Sequence, residues 1–364
     1  MKKVRLFFTL PFSPIMRIII DDKIPFIREA AAQLGEAVYL SGSDISAADV
    51  RDADALIVRT RTRCDEALLQ GSRVQMVATA TIGYDHIDTA YMQHAGVAWT
   101  NCPGCNADSV AQYVQSALIL LADGGHVDLA GMTVGIVGVG HVGSSVERML
   151  RRMGCRILRH DPPRQARGEE GFVDLEEIQK HCDVITLHTP LTREGAHPTF
   201  HMIDEQFFDA LHRRPVLINA ARGEVVDEAA LKTALKTGKI RTAVIDTWEH
   251  EPCVDRELLS AVFLGTPHIA GYSADGKANG TRMALQAVAR HFGTSFSAPV
   301  LPPALPDDYA YYPQRYSPQH PYAELLRHYD PRRDSDALRA HPEDFERLRG
   351  DYPLRREMQA NDGI

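Results

Sequence analysis

The sequence predicts an α/β protein with two doubly wound parallel-sheet lobes and a small additional C-terminal domain. Strand-like and helix-like segments alternate from Met16 onward, which is typical of parallel sheets whose strands are connected by helices. In the middle of the chain a glycine-rich turn, Gly138-x-Gly140-x-x-Gly143, joins a buried strand to a helix. After Gly293 the pattern changes to a stretch rich in proline and tyrosine, and then to a charged tail.

The first block of the chain predicts one parallel sheet. Short apolar runs rich in β-branched residues indicate its strands, and amphipathic segments between them indicate its helices. Because Met16 opens the first clear strand, residues 1–15 are interpreted as an N-terminal extension. A long apolar helix is predicted from Asn106 to Leu121, with Asn106 or Asp108 as its N-cap. The earlier strands are predicted at residues 16–21, 54–60 and 74–80, and the earlier helices at 24–34 and 86–95.

The second block begins at Met132 and predicts a complete dinucleotide-binding unit. Gly154 and Gly238 stand where two of its helices should end. Its strands are predicted at residues 132–138, 156–160, 183–188, 215–220, 241–246 and 262–265, and its helices at 142–153, 174–181, 204–211 and 227–237.

The composition is that of a soluble globular protein with reduced thiols. A net charge of -8 argues against a general affinity for nucleic acid or for a membrane surface. The six cysteines are scattered along the chain, which favours the cytoplasm. Cys102 and Cys105 have the spacing of a redox or zinc pair, but the Pro-Gly between them indicates a turn, and no second pair follows. No metal site is therefore predicted, and no apolar run is long enough to cross a membrane.

The glycine-rich turn predicts an NAD site. Its glycines let the backbone approach a pyrophosphate, and the following helix supplies free N–H groups and a positive dipole. Asp161 ends the next strand, where its carboxylate can accept hydrogen bonds from the adenosine ribose and would repel a 2′-phosphate. NAD is therefore predicted over NADP, although Arg159 and Arg164 lie close by in the sequence. The predicted contacts at the turn are Gly138, Gly140, His141, Val142 and Gly143.

Three polar residues follow three later strands and are predicted to be catalytic. They are Arg222 in Asn-Ala-Ala-Arg-Gly, Glu251 in Trp-Glu-His-Glu-Pro, and His268 in Thr-Pro-His-Ile-Ala-Gly. Open α/β sheets bind ligands at the carboxyl ends of their strands, where these residues are expected to lie.

These residue types suit the oxidation of a 2-hydroxy acid. A histidine can accept the hydroxyl proton near neutral pH, so His268 is the predicted base. Glu251 would orient the ring and stabilise the imidazolium. Arg222 would form a two-pronged hydrogen bond to the substrate carboxylate. Taken singly, each could be an ordinary surface or turn residue; their joint placement on successive strand ends favours catalysis.

On these motifs the chain from Met16 resembles the D-isomer-specific 2-hydroxyacid dehydrogenases. The resemblance implies a Rossmann NAD domain, a flavodoxin-like substrate domain and a small C-terminal α+β domain that forms a homodimer. It places the substrate domain at residues 16–107 and 273–293, the NAD domain at 108–272 and the dimerisation domain at 294–364. Further matches, among them His268-Ile269-Ala270-Gly271-Tyr272 and Tyr329-Asp330-Pro331-Arg332, indicate the branch that acts on a small phosphorylated 2-hydroxy acid.

The resemblance also implies binding residues. Thr60, Thr81 and Tyr272 correspond to residues that contact substrate in the family. The positions that correspond to the NAD site are Asp161, Thr189, Ala220, Ala221, Arg222, Asp246 and Gly271.

A phosphorylated substrate requires a cationic pocket, for which the run Arg59-Thr60-Arg61-Thr62-Arg63 is one candidate. Strand alternation would place its three arginines on one face if the strand continued that far. Arg59 or Arg63, together with Thr60 and Thr81, is the predicted phosphate site, and Lys277 is a further candidate. A solvated charge cluster is the alternative interpretation of this run.

Two other functions stay open at this point. One is a related dehydrogenase that acts on phosphoglycerate, glycerate or lactate. The other is an NAD-sensing binding protein similar to the transcriptional corepressors that share this fold; those recognise peptides and lack the C-terminal tail.

Overall fold

The computed structural model describes residues 16–307, 309–312 and 321–358. The predicted N-terminal extension, residues 1–15, lies outside the described residues. By its internal contacts the chain divides into two units. The first unit runs to Pro103 and includes Ala278–Leu301, and the second comprises Gly104–Lys277 and the residues from Pro302 onward.

The first unit contains a five-stranded parallel sheet. Its strands are β1 (Arg17–Asp21), β2 (Glu36–Leu40), β3 (Ala55–Val58), β4 (Met76–Thr79) and β5 (Ala98–Thr100). They lie in the order β2-β1-β3-β4-β5. Every residue of β3 and β4 is buried, because central strands of a parallel sheet are covered on both faces. The edge strands β2 and β5 are only partly buried.

The second unit contains a six-stranded parallel sheet. Its strands are β6 (Thr133–Val137), β7 (Arg156–His160), β8 (Val184–Leu187), β9 (Val216–Asn219), β10 (Thr242–Ile245) and β11 (Leu264–Gly265). They lie in the order β11-β10-β9-β8-β6-β7. The strand order reverses between β6 and β8, which is the switch point where doubly wound sheets bind dinucleotides. The neighbouring strands β9, β10 and β11 together present their carboxyl ends on one edge.

Several helices begin at an aspartate whose side chain caps them. Asp227, for example, accepts hydrogen bonds from the amides of Ala229 and Ala230, and Gly238 ends the same helix at φ +72°. The helices are α1 (Arg28–Ala31), α2 (Ala47–Val50), α3 (Glu66–Leu69), α4 (Thr89–Ala95), α5 (Ala107–Asp123), α6 (His141–Arg152), α7 (Pro162–Ala166), α8 (Leu175–His181), α9 (Glu205–Asp209), α10 (Glu228–Thr237), α11 (Arg256–Ala261), α12 (Ala274–His291), α13 (Ala323–His328), α14 (Arg332–Ala340) and α15 (Phe345–Gly350), with 3-10 helices at Gly223–Val225 and Pro342–Asp344. Among the described residues no helix is both long and apolar enough to span a membrane.

The predicted fold class of two parallel-sheet lobes is confirmed. Strands β2 and β5 were not predicted. The described part of residues 302–358 contains α13 to α15 and no strand, so the α+β character expected of the C-terminal domain is not seen there. Its prolines remove the backbone donors that a sheet requires. The predicted domain bounds and the dimerisation role of this region stay predictions.

Candidate active site

A histidine and a carboxylate lie together at the carboxyl edge of the second sheet. Glu251 follows β10 and His268 follows β11, and His268 Nδ1 lies 2.8 Å from Glu251 Oε2. The other oxygen of Glu251 accepts from the Trp248 amide at 3.0 Å. Because Nδ1–H donates to the carboxylate, the ring is oriented and Nε2 is the nitrogen left for proton exchange.

The charge state of Glu251 follows from its neighbours. Burial raises the pKa of this carboxyl, but its hydrogen bond to His268, the charge of that ring and the Trp248 amide outweigh burial and hold the pKa below its ordinary value. Glu251 is therefore ionised at neutral pH and can stabilise a protonated His268. The His268 side chain is 30% exposed, so a small molecule can reach it.

Asp246 fixes the turn that carries His268. It is buried, and its two carboxylate oxygens accept from the amides of Ile269 and Ala270 at 2.8 and 2.9 Å. Its carbonyl accepts from the His268 amide at 2.7 Å. These bonds hold His268 at φ +54°, a left-handed conformation that is uncommon for a residue other than glycine. Burial raises the pKa of Asp246.

Arg222 lies on the neighbouring loop. It follows β9, and its backbone carbonyl accepts from Asn219 Nδ2 at 3.0 Å. A Cβ on the next residue, Gly223, would lie 1.9 Å from the Trp248 carbonyl oxygen, so the loops after β9 and β10 are in direct backbone contact. Within the described chain the Arg222 guanidinium donates to the Ala221 carbonyl at 2.8 Å and forms no ion pair. It is thus available for an anionic ligand.

The glycine-rich turn has the close approaches that its sequence predicts. Gly138 has φ +87°, and a Cβ there would lie 2.8 Å from the His188 carbonyl. A Cβ on Gly143 would lie 2.1 Å from the Gly138 carbonyl oxygen, while one on Gly140 would have open space. Gly140 is the N-cap of α6, whose first turn contains His141 and Val142. Open space before uncapped helix amides suits a pyrophosphate.

Two further observations fit a dinucleotide. The buried hydroxyl of Thr189 has no hydrogen-bond partner in the described chain. Asp161 accepts from the amides of Val139 at 2.8 Å and Arg164 at 3.0 Å, and so lies beside the glycine-rich turn. The Arg164 guanidinium is paired with Glu169. Because its charge is already paired, Arg164 is less suited to bind the 2′-phosphate of NADP, and the site favours NAD.

The other predicted cofactor positions lie in the same loops. Ala220 and Ala221 precede Arg222, and a Cβ on Gly271 would lie 2.2 Å from Asn106 Nδ2, so only glycine fits there. Their contact with the cofactor, like that of Asp246, stays a prediction.

The predicted substrate residues are divided between the two units. Arg59, Thr60, Arg63 and Thr81 belong to the first unit and Tyr272 to the second. Strand β3 ends at Val58, so the condition for placing Arg59, Arg61 and Arg63 on one face is not met.

Within the first unit these side chains have local partners. Arg59 donates to the Lys23 carbonyl at 3.1 Å, and Arg63 pairs with Asp65 at 2.9 Å while 76% exposed. The Thr81 hydroxyl lies 2.7 Å from that of Thr79. Thr60 is exposed.

Sequence reasoning missed the contribution of the C-terminal region to this site. Arg355 is fully buried and donates to the carbonyls of Ile269 and Ala270, directly after His268. Arg349 lies beside Tyr272. These contacts join residues about 80 positions apart, and no local pattern in the sequence signals them.

Comparison with known proteins gives consistent matches. Residues 109–270 match the family model of the D-isomer specific 2-hydroxyacid dehydrogenase NAD-binding domain. The chain is 52% identical over 347 residues to an erythronate-4-phosphate dehydrogenase of Bacteroides fragilis, which covers 95% of this chain and 98% of that protein.

Two solved structures show the same fold. One is a D-lactate dehydrogenase of Aquifex aeolicus complexed with NAD and lactic acid, at a TM-score of 0.62 and 26% identity over 76% of this chain and 96% of that one. The other is an NAD+-bound 3-phosphoglycerate dehydrogenase of Entamoeba histolytica, at a TM-score of 0.64 and 26% identity over 77% of this chain and 96% of that one.

Proposed function

Because the chain belongs to the erythronate-4-phosphate dehydrogenase family of D-isomer-specific 2-hydroxyacid dehydrogenases, we propose that it oxidises 4-phospho-D-erythronate with NAD. The product is 2-oxo-3-hydroxy-4-phosphobutanoate, and the reaction belongs to the biosynthesis of pyridoxal 5′-phosphate. The name of the 52% identical relative supports this substrate, and the residues at the carboxyl edge of the second sheet supply the chemistry.

When bound, NAD would supply the acceptor for the hydride from C2 of the substrate. The backbone of the glycine-rich turn and the first turn of α6 would hold its pyrophosphate. Asp161 would bind the adenosine ribose, and the Thr189 hydroxyl would gain the hydrogen-bond partner that it lacks among the described residues.

The proton of the C2 hydroxyl goes to His268 Nε2. Its other nitrogen, Nδ1, donates to the ionised Glu251, and this hydrogen bond stabilises the imidazolium that forms. The pair thereby takes up a proton as the C2 hydroxyl becomes a carbonyl. Arg222 holds the substrate carboxylate through two parallel hydrogen bonds and fixes which face of C2 is presented.

The observation that carries the proposal is the 2.8 Å contact between His268 and Glu251 at the ligand-binding edge of the second sheet. The test is NADH formation from 4-phospho-D-erythronate, measured beside 3-phosphoglycerate, D-glycerate and D-lactate at equal concentrations. We expect kcat/KM to be highest for 4-phospho-D-erythronate, and higher with NAD than with NADP. A higher value for 3-phosphoglycerate would assign the chain to another reaction, and NAD-dependent peptide binding without turnover would favour a corepressor-like role.

The assembly and the domain roles are part of the proposal. Residues 16–107 with 273–293 would bind substrate, residues 108–272 would bind NAD, and residues 294–364 would form a homodimer in the cytoplasm. The resemblance to the family motivates this division, and the free cysteines, of which four are buried, support a reducing compartment. Sedimentation equilibrium of the full chain tests the dimer; a monomer at micromolar concentration would contradict it.

A further inference from the structure

Residues 345–357, here called the C-terminal segment, pack against the turn before Tyr272. Arg355 donates to the backbone carbonyls of Ile269 and Ala270 at 3.3 and 3.2 Å. It is fully buried, and its guanidinium carbon lies 3.5 Å from the centroid of the Tyr329 ring. The C-terminal segment is therefore part of the interior that positions Tyr272.

Arg356 and Glu357, which follow Arg355 directly, hold the same end of the segment. The Glu357 carboxylate accepts from the hydroxyls of Ser109 and Ser273 at 2.6 and 2.7 Å. Arg356 donates to Asp275 through two hydrogen bonds of 2.9 and 3.0 Å. Because Phe345 at the start of the segment is also fully buried, the side chains between the two ends have defined positions.

One of those side chains is Arg349, in α15. Its guanidinium carbon lies 5.8 Å from the centroid of the Tyr272 ring, and its charge interacts with the carboxylate of Glu251. Nη1 donates to Glu346 at 3.3 Å, whereas Nε is buried and has no hydrogen-bond partner in the described chain. The side chain is 23% exposed, so the cation is held in place but remains accessible.

The chemistry of the substrate requires such a cation. A phosphorylated hydroxy acid brings a carboxylate and a phosphate into a site that already contains the ionised Glu251. Arg222 is assigned to the carboxylate, and the phosphate at the other end of the substrate therefore needs a second cation. A guanidinium suits phosphate because its planar N–H donors can form a bidentate hydrogen bond to two phosphate oxygens. Lys277, with Nζ 4.9 Å from the Tyr272 ring centroid, adds positive charge near the same ring.

We propose that Arg349, delivered by the C-terminal segment, binds the phosphate of the substrate and determines specificity for phosphorylated acids. This inference rests on the proposed function. It gives the C-terminal region a direct part in substrate selection in addition to the predicted part in dimerisation.

The test compares the wild type with Arg349→Gln and Arg349→Lys on 4-phospho-D-erythronate and on D-erythronate, which lacks the phosphate. We expect Arg349→Gln to raise KM for the phosphorylated substrate about 100-fold with a much smaller change in kcat, and to lower kcat/KM for D-erythronate by a far smaller factor, so that the preference for the phosphorylated acid falls. Arg349→Lys should recover part of the lost affinity for the phosphorylated substrate, because lysine restores the charge but cannot form the bidentate hydrogen bond. Inorganic phosphate should inhibit the wild type competitively and lose this effect in Arg349→Gln.

The matched control is Arg347→Gln. Arg347 lies on the same helix, is 60% exposed and pairs with Asp344, so this variant should keep wild-type values for both substrates. NADH binding and the thermal midpoint, Tm, establish that each variant is folded. If Arg349→Gln does not fold, the test rests on Arg349→Lys, whose KM should rise for 4-phospho-D-erythronate and not for D-erythronate.

The outcomes separate the two proposals. Equal losses on both substrates, or an unchanged ratio between them, would overturn the role of Arg349 while wild-type turnover of 4-phospho-D-erythronate still supported the proposed function. Absence of that turnover in the wild type would remove both.

Discussion

The backbone of His268 is held in a conformation that it would rarely adopt alone. A φ of +54° costs a residue with a side chain about 1–3 kcal/mol. The hydrogen bonds of Asp246 to the amides of His268, Ile269 and Ala270 offset this cost. The strain and its compensation together place the imidazole against Glu251.

Replacement of His268 by asparagine tests its role as the base. Asparagine tolerates the left-handed conformation and removes the ring, so the turn should keep its structure. We expect kcat to fall about 1,000-fold, the scale of general-base catalysis, with unchanged NADH affinity by fluorescence titration. His197→Asn, at an exposed position, is the control and should keep full turnover. Wild-type kcat in His268→Asn would remove the histidine from the mechanism.

His188 gives the protein a pH-dependent stability. Burial lowers the pKa of this residue to about 3; Nε2 lies 2.9 Å from the Thr186 hydroxyl, and Nδ1 is buried without a partner in the described chain. In the unfolded chain this histidine has a pKa of about 6.5 and binds a proton below that pH, whereas in the folded chain it stays neutral. The free energy of unfolding therefore falls as the pH falls from about 6.5 toward 3.

A His188→Gln variant should lose this dependence. At pH 5 the wild type should be destabilised by about 1–2 kcal/mol relative to pH 7 through this residue, and the variant should lack that part of the loss. Urea unfolding at the two pH values, without NAD, measures the difference. Identical pH dependence in both proteins would show that His188 is not held neutral.

At the scale of elements, three neighbouring strands deliver one residue each to the site. Loops after β9, β10 and β11 carry Arg222, Glu251 and His268. Asp246 joins the second loop to the third, and the contact of Gly223 with the Trp248 backbone joins the first loop to the second. The geometry of the site is thus a property of adjacent strand ends.

Gly223→Ala tests the contact between the first two loops. The added Cβ would lie 1.9 Å from the Trp248 carbonyl oxygen, so one loop must move and Arg222 with it. A displacement of this kind should lower kcat/KM about 100-fold and also lower Tm. Gly350→Ala is the control, because a Cβ there meets no atom within 4 Å, and it should leave both quantities unchanged. Full activity in Gly223→Ala would contradict this account.

The strands that could be predicted from the sequence are those with long apolar runs. β3 is apolar throughout, β4 is apolar up to Thr79, and both are buried along their whole length. In the second sheet β8, β9 and β10 are buried throughout in the same way. β2 begins with the exposed Glu36, and β5 has only three partly buried residues. Edge strands of this kind lack a distinct hydrophobic period, so they were missed.

The site was predictable in part for a related reason. Glu251 and His268 could be expected to meet because parallel strands end at a common edge, and the structure brings them together. The contacts of Arg349 with Tyr272 and of Arg355 with the turn after His268 could not be predicted from the sequence, because they depend on where a distant segment of the chain packs against the second sheet. The substrate roles of Arg59, Thr60, Arg63 and Thr81 stay predictions.

At the scale of the whole molecule, the second unit combines the cofactor sheet with residues from the C-terminal region. Arg355 is one of the residues that join them: it donates to Gln112 of α5 at 3.0 Å and to the Ser109 carbonyl at 2.5 Å, as well as to the turn after His268. A buried arginine with this many partners should be costly to replace.

Arg355→Met should destabilise the protein by about 3 kcal/mol, because methionine fills part of the space and leaves buried carbonyls without a donor. Differential scanning calorimetry measures the drop in Tm. Arg256→Met, at a residue whose side chain is 74% exposed and pairs with Glu343, is the control and should change Tm little. An unchanged Tm in Arg355→Met would show that these hydrogen bonds do not stabilise the fold.

The distance along the chain between Arg355 and the Ile269 carbonyl, 86 residues, has a consequence for biosynthesis. During translation the stretch around His268 leaves the ribosome well before its internal arginine partner exists. Contacts so remote in sequence also form slowly in a refolding chain. Newly made molecules should accordingly acquire their secondary structure first and their enzymatic competence afterwards.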